Sequence, residues 1–101
     1  MYIYNVTIKI DKSIEEEWLK WMNTEHIQEV IGTGLFHDYS FMELLEPQDE
    51  DGRTFVVQYY TNSLDKYNEY STQHAMALRD KGIEKFGQQF VAFRTLLKKH
   101  I

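Results

Sequence analysis

The chain has 101 residues, of which 43% are hydrophobic and 15% aromatic, so it can fold around one packed core. Its formal net charge of −5 argues against nucleic acid and anionic membrane surfaces as partners, because both attract basic proteins. The absence of cysteine excludes disulfides, thiol nucleophiles and cysteine-based metal sites, and it agrees with a cytoplasmic location. We expect a single domain over residues 1–101.

The first ten residues alternate between apolar and mixed positions, which predicts a β-strand with one apolar face. This alternation differs from the basic start and continuous apolar core of a signal peptide. No stretch approaches the roughly 20 apolar residues of a membrane-spanning helix. After the strand, Ser13 and Glu16 have the spacing of a capping box, which predicts that the first helix begins there.

Residues 18–30, WLKWMNTEHIQEV, contain both tryptophans and one histidine at helical spacing. Their apolar positions form two sets that do not share one helix face. The first set is Ile14, Trp18 and Met22, and the second is Ile27, Val30 and Ile31. We therefore predict a bend or break near Asn23 and Thr24, with the second segment ending at the glycines of residues 32–34.

The rest of the chain predicts two strands, a long helix and a last strand. The strands cover residues 35–46, 53–61 and 89–97, an acidic turn occupies 47–52, and the helix occupies 64–86 between a cap at Asn62-Ser63 and a stop at Gly87. The order β-α-β-β-α-β is typical of the α+β, ferredoxin-like fold. We expect a four-stranded antiparallel sheet with both helices on one face.

The opposite face of this sheet is too apolar for a surface exposed to water. It carries Ile3, Val56 and Tyr60, and in the last strand either alternate set is apolar: Val91, Phe93 and Leu97 on one side, and Phe90, Ala92 and Leu96 on the other. An uncovered face of this kind is an association surface, and pairing two sheets face to face with two-fold symmetry covers it. The sequence therefore predicts a homodimer through the sheet face.

His26 is the first candidate for chemistry, because a break before it allows its side chain to point between helix and sheet. One interpretation is a buried histidine that donates to a backbone carbonyl. The other is a pocket residue that acts as a hydrogen-bond donor or catalytic general base, oriented by Glu25 or Glu29. His74 lies on the inner side of the second helix, but two histidines without a close pair are a weak metal signal. We expect no metal and no cofactor.

Arg94 is the one charged residue within the apolar segment FVAFRTLL. Because guanidinium groups are rarely buried alone, it either pairs with a carboxylate such as Glu43 or binds an anionic ligand. Four other residues either belong to the core or line a pocket. They are Tyr4, Trp18, Met22 and Tyr59.

The segment from Trp18 to Phe36 resembles the W-x-x-W-x-x-x-x-H-I-P-E…G-x-F pattern of EthD-like members of the dimeric α/β-barrel superfamily, with Gln28 where that pattern has proline. The whole chain, including FVAFRTLL, also resembles a small bacterial family of domains of unknown function. The superfamily resemblance implies a cleft between helices and sheet that His26 faces. Its members include cofactor-independent monooxygenases, haem-degrading enzymes, dehydratases and isomerases, and a shared fold does not transfer a reaction.

Three functions follow from these observations. The first is binding of a small aromatic or anionic molecule in the cleft, with His26 and Arg94 as polar anchors. The second is a cofactor-independent oxygenase or isomerase in which His26 is the base and Arg94 or a tyrosine stabilises negative charge. The third is a structural or interaction homodimer without a ligand cavity.

Overall fold

A computed structural model describes residues 1–47 and 49–101, and the predicted turn at 47–52 therefore lies partly outside the described residues, at Gln48. The strands and helical segments follow one another in the predicted order, β-α-β-β-α-β. The strands are β1 (Tyr2–Asp11), β2 (Asp38–Leu44), β3 (Gly52–Thr61) and β4 (Phe90–Lys98), and the helices are α1 (Glu15–Trp21), α2 (Ile27–Gly32), α3 (Leu64–Gln73) and α4 (Ala75–Phe86). None of the described helices is long and apolar enough to cross a membrane.

The four strands form one antiparallel sheet in the order β2-β3-β1-β4. At its centre Val6 of β1 lies opposite Val57 of β3 on one side and Arg94 of β4 on the other. β2 and β3 form the predicted hairpin, and the connection from β1 to β3 passes through the first helical segment and β2. The predicted ferredoxin-like α+β fold is confirmed.

The core lies between the sheet and the helices, on the face that the alternation of β1 predicts. Tyr4, Val6, Ile8 and Ile10 are all buried, whereas the intervening residues of β1 are only partly buried. Trp18 of α1 is 2% exposed and packs against Phe55 of β3 with ring centroids 5.1 Å apart. Apolar burial of this kind is the main favourable term in folding, so it fixes the helices on this face.

The first helical segment changes its winding where the sequence predicts a break. A π-helical segment, Met22–His26, connects α1 to α2 without leaving helical backbone angles. A π-helical turn accommodates one more residue than an α-helical turn, so it rotates the residues that follow it. This rotation, rather than a break, places both Met22 and Ile27 in the core.

The second helical segment is two helices and not the single one predicted. The interruption is at His74, whose φ of −124° is not helical. Just before it, the Thr72 hydroxyl donates to the backbone carbonyl of Asn68 at 2.8 Å, an interaction that often bends helices. The predicted ends are confirmed, because Ser63 Oγ accepts a hydrogen bond from the Lys66 amide at 3.2 Å and Gly87 has a φ of +60°.

Two local predictions were wrong. The predicted capping box is absent, because a 3₁₀ turn, Lys12–Ile14, precedes α1 and Ser13 accepts instead from Gln89 Nε2 at 3.4 Å. The predicted second strand begins three residues too early. Leu35 and Phe36 are buried in the core before the strand starts, so their apolar character reflects packing rather than sheet pairing.

The sheet face away from the helices has apolar ends and a polar band across its middle. Phe93 and Val91 of β4 are 66% and 53% exposed, and Met42 of β2 is also exposed. Between these edges, hydrogen bonds cross all four strands. They join Ser40 to Tyr60, Tyr60 to Gln58, Gln58 to Asn5 and Asn5 to Thr95. The polar side chains of this band are therefore hydrogen-bonded to one another across the sheet.

Candidate functional site

His26 is the last residue of the π-helical segment, and its ring stacks on Trp21 with centroids 4.7 Å apart. Burial lowers the pKa of His26 from its ordinary value of 6.5 to about 4. Glu29 raises this pKa somewhat, whereas Arg94 and Lys81 lower it, and no hydrogen bond contributes. The imidazole is therefore neutral at physiological pH, and among residues 1–47 and 49–101 its ring makes no hydrogen bond to a backbone carbonyl.

His26 forms part of a narrow cleft between the helices and β4. The volume of the cleft is about 40 Å³, which is room for roughly two or three water molecules. Its walls come from β1, α1, the π-helical segment, α4 and β4. The lining residues are Val6, Ile8, Trp18, Trp21, Met22, His26, Leu78, Arg79, Gly82, Phe90, Ala92 and Arg94.

The narrow cleft adjoins a wider depression between α4 and β4. Arg79, Phe90, Ala92 and Arg94 line both spaces, so the two border on each other at these residues. The depression has a volume of about 430 Å³ and is open to solvent. Ile83 of α4, which is 55% exposed, adds to its apolar wall. The site thus has a narrow inner end at His26 and a broad outer mouth.

Gly82 allows α4 to approach the floor of the cleft closely. A Cβ atom at this position would lie 3.2 Å from the Trp21 ring and 3.6 Å from the Phe90 ring. The first of these distances is shorter than an ordinary van der Waals contact, so a larger residue would push on Trp21 and, through the stack, on His26.

Two arginines from different elements reach this cleft. Arg79 of α4 donates from Nη2 to the Tyr4 hydroxyl at 3.1 Å, and its Nε is buried without a hydrogen-bond partner among the described residues. Arg94 of β4 lies on the helix-covered side of the sheet, because its register partner Val6 is a core residue. Both arginines lower the pKa of Tyr70, although burial raises that pKa overall. Their charges therefore act on the same region.

The predicted site residues divide into those near the cleft and those elsewhere. Trp18, Met22 and Arg94 line it together with His26, and Tyr4 reaches it through its hydrogen bond to Arg79. Tyr59 does not line it. This residue is 2% exposed and belongs to an aromatic cluster with Tyr4 and Phe36, and burial raises its pKa.

His74 also lies away from the cleft. Its ring stacks on Tyr70 with centroids 6.4 Å apart, and it faces a separate surface depression bordered by Glu29 and Lys81. Within residues 1–47 and 49–101, no three histidine or acidic side chains are grouped closely enough to hold a metal ion.

The alternative that pairs Arg94 with Glu43 is wrong. Glu43 lies on β2 and Arg94 on β4, which are opposite edges of the sheet. Glu43 instead accepts from Arg53 Nη1 at 3.0 Å. Arg94 is exposed, so it needs no partner to offset burial, and binding of an anionic ligand by Arg94 stays a prediction.

Sequence reasoning missed Arg79 and Gly82 as parts of the site. Gly82 lies on the apolar arc of the second predicted helix, four residues after Leu78, and Arg79 lies beside that arc, four residues after Ala75. A single charge beside an apolar helix arc is the signal that marks Arg79. Its proximity to Arg94 depends on the packing of α4 against β4 and cannot be read from spacing.

A family model described as a domain of unknown function, DUF4286, matches residues 1–100. The chain belongs to this family. The match confirms the predicted relationship to a family of domains of unknown function. No curated protein matches the DUF4286 chain significantly in sequence.

Solved structures with little sequence similarity share the fold of the DUF4286 chain. An EthD family protein from Bacillus halodurans is 9% identical, with a TM-score of 0.73 over 99% of this chain and 100% of that one. A dimeric ferredoxin-like protein from an uncultured marine organism is 12% identical, with a TM-score of 0.65 over 100% and 99%. SnoaB, a cofactor-independent oxygenase from Streptomyces nogalater, is 8% identical, with a TM-score of 0.64 over 99% and 94%. At these identities the similarity establishes the fold alone.

Proposed function

We propose that this domain binds a small molecule in the cleft that extends from His26 to the mouth between α4 and β4. The observation that carries the proposal is the shape of this site. Its inner end is narrow and is lined by side chains from five elements, and its outer part is an open depression of about 430 Å³. The walls are mainly apolar, with a few polar groups at fixed positions, which is the usual composition of a ligand site.

The sizes of the two parts determine how a ligand lies. The inner end accepts one small group or ordered water, because its volume is only about 40 Å³. The body of the ligand therefore occupies the outer depression, against Phe90 and Ile83. Aromatic and aliphatic walls favour a ring or a short apolar chain at this position.

His26 supplies a neutral polar group at the inner end. Because its pKa is about 4, the imidazole has one donor and one acceptor nitrogen at pH 7 and carries no charge. It can therefore bond to a hydroxyl, a carbonyl or a bridging water. The stack on Trp21 limits the movement of the ring, which reduces the entropy that binding costs.

The test is a binding screen with one variant that fills the cleft. Thermal-shift measurements against a library of aromatic and anionic metabolites identify ligands, and Ala92→Trp then obstructs the boundary between the two parts of the site. Ala77→Trp is the matched control, because Ala77 lies on α4 at the separate depression near His74. We expect Ala92→Trp to abolish binding and Ala77→Trp to preserve it. Absence of any ligand, or equal binding by both folded variants, would contradict the proposal.

Catalysis is the second candidate, and the neutral state of His26 favours it. A histidine that is unprotonated at pH 7 can accept a proton from a bound substrate, although a pKa of about 4 makes it a weak base that suits acidic C–H or O–H groups. A cofactor-independent oxygenase shares this fold. We expect the parent chain to turn over a ligand from the screen in the presence of oxygen. We expect His26→Ala to bind this ligand but not to turn it over. Unchanged turnover in that variant would exclude His26 as the base.

We also propose that two copies pair through the open sheet face. The exposed apolar side chains at its edges support this pairing, and the hydrogen bonds within the polar band reduce the cost of burying it. A protein of the same fold is described as dimeric. The inner end of the cleft lies on the opposite side of the sheet, whereas Val91 belongs to the paired face and also lines the outer depression, so this pairing borders the mouth of the site.

Light scattering at low micromolar concentration tests the homodimer. Phe93→Asp places a charge on the most exposed aromatic side chain of this face and should give a monomer. Met76→Asp is the control, since Met76 is 76% exposed on α4, away from the sheet. A monomeric parent chain, or a dimer that survives Phe93→Asp, would contradict this pairing.

A further inference from the structure

We propose that the ligand of this cleft is a carboxylic acid with an apolar ring or chain, and that Arg79 and Arg94 bind its carboxylate together. This inference rests on the proposed function, and it adds the chemical class of the ligand. The observation that carries it is that Arg79 of α4 and Arg94 of β4 both line the narrow and the wide parts of the cleft.

Arg79 has unused hydrogen-bonding capacity in a partly buried position. Its Nη2 donates to the Tyr4 hydroxyl, but its Nε is buried and has no partner among the described residues. Buried donors in proteins are nearly always paired, and leaving one unpaired is especially unfavourable when it belongs to a charged group. An acceptor bound in the cleft would pair with the other donors of this guanidinium, and it would reach Nε only if the side chain moved.

Neither arginine has a carboxylate partner within the part of the chain that the structure describes. Four other cations there make ion pairs within 4 Å. They are Lys9, Arg53, Lys81 and Lys85. Arg53 forms ion pairs with two carboxylates, those of Glu15 and Glu43. Five lysines in the described part of the chain also lack an ion pair, but only Arg79 and Arg94 line the cleft, where they can bind an anion from outside.

The chemistry of guanidinium selects a carboxylate. Its planar set of donors matches the two oxygens of a carboxylate, and such charge-assisted bonds are stronger than neutral ones. The adjoining depression has apolar walls at Phe90 and Ile83, so the group attached to the carboxylate is apolar. The ligand thus places its acid on the arginines and its ring or chain in the outer part of the cleft.

Tyr4 is a positioning residue for the Arg79 side chain. Its ring is 3% exposed and is packed among Phe36, Tyr59 and Tyr70, so its hydroxyl is held in one place. By accepting from Arg79 at 3.1 Å it orients the guanidinium without neutralising its charge. Tyr4→Phe should therefore weaken binding of an acid while leaving binding of an uncharged analogue unchanged.

The experiment compares acids with their own amides. Benzoate, phenylacetate and 2-naphthoate, each beside the corresponding amide, are titrated into the full chain by calorimetry at low and high salt. We expect at least one acid to bind about tenfold more tightly than its amide, with a difference that shrinks at high salt. Arg79→Gln and Arg94→Gln should each remove about tenfold of the acid affinity and leave the amide affinity unchanged.

Arg53→Gln is the matched control, because Arg53 is an exposed arginine with carboxylate partners far from the cleft. It should leave both affinities unchanged. If either glutamine variant fails to fold, Arg79→Lys or Arg94→Lys keeps the charge and should still lose part of the acid preference, since lysine cannot form the bidentate bond.

The outcomes separate this inference from the proposed function. If acids and amides bind equally, or if all cleft ligands from the wider library are uncharged, carboxylate binding by Arg79 and Arg94 is overturned. The proposed binding function would remain intact. An acid preference that persists in Arg79→Gln and Arg94→Gln would also overturn carboxylate binding by these two arginines. Absence of any ligand in both experiments would overturn the two together.

Discussion

Acidification from about pH 7 to about pH 5 should destabilise this domain through His26. Burial holds the pKa of this imidazole at about 4 in the folded chain, against 6.5 for an ordinary histidine. Between these values the unfolded chain binds a proton that the folded chain does not. The contribution of His26 is therefore fully present above about pH 6.5 and is lost as the pH falls toward 4.

The magnitude follows from the two pKa values. At pH 5 most unfolded chains carry a proton on this histidine and most folded chains do not, which corresponds to a loss of about 2 kcal/mol in the free energy of unfolding. Other groups also titrate in this interval, so the measurement has to isolate His26. His26→Gln removes the titrating group and keeps a polar side chain of similar size.

Urea denaturation at both pH values, at one protein concentration, gives the required comparison. We expect the free energy of unfolding of the parent chain to fall by about 2 kcal/mol more than that of His26→Gln. His100→Gln, in the exposed C-terminal tail, should behave like the parent chain. An equal loss in the parent chain and in His26→Gln would show that the imidazole is not held neutral by burial, and the reasoning would be refuted.

Three further predictions concern helix positions and are checked by urea denaturation. Gly82→Ala should not raise the free energy of unfolding by the roughly 1 kcal/mol that alanine usually adds in a helix, because the Trp21 ring lies 3.2 Å from the new Cβ. The full gain would show that the ring moves freely. Ser63→Ala should cost about 1 kcal/mol by removing the cap of α3, and exposed Ser71→Ala should cost less; equal costs would contradict the cap. Gly87→Ala should lower the free energy of unfolding by about 1–3 kcal/mol because φ at this residue is +60°, whereas Gly32→Ala, with open space around it, should not. No loss of stability in either variant would contradict the positive φ at Gly87.

The alternation of β1 is sufficient to predict the sheet and its buried face, because side chains of a strand point alternately to its two sides. The change of pattern after Asn23 is sufficient to locate the irregular part of the first helix. It does not distinguish a break from a π-helical turn, since both rotate the residues that follow. The interruption of the second helix at His74 leaves no strong sequence signal, because the residues around it contain neither glycine nor proline.

The site was predictable only in part. His26 and Arg94 are unusual in their own segments, so each is recognisable without a structure. Arg79 becomes important because α4 packs against β4 and brings it to the same cleft as Arg94, with Tyr4 as its partner 75 positions away. Contacts over such separations are set by tertiary packing. For the same reason, the sequence offered Glu43 as a partner for Arg94 although the strand order places them at opposite edges.

The measurement that tests binding in the cleft most directly uses the two tryptophans of the chain, both of which line the site. Their indole N–H groups give two separate signals in a ¹H–¹⁵N correlation spectrum. During titration with a ligand from the screen, we expect the Trp21 indole signal and the backbone signals of Gly82 and Ala92 to shift together, with one saturation curve. Shifts confined to residues outside the cleft, such as His74 and Ala77, would contradict the proposed binding site.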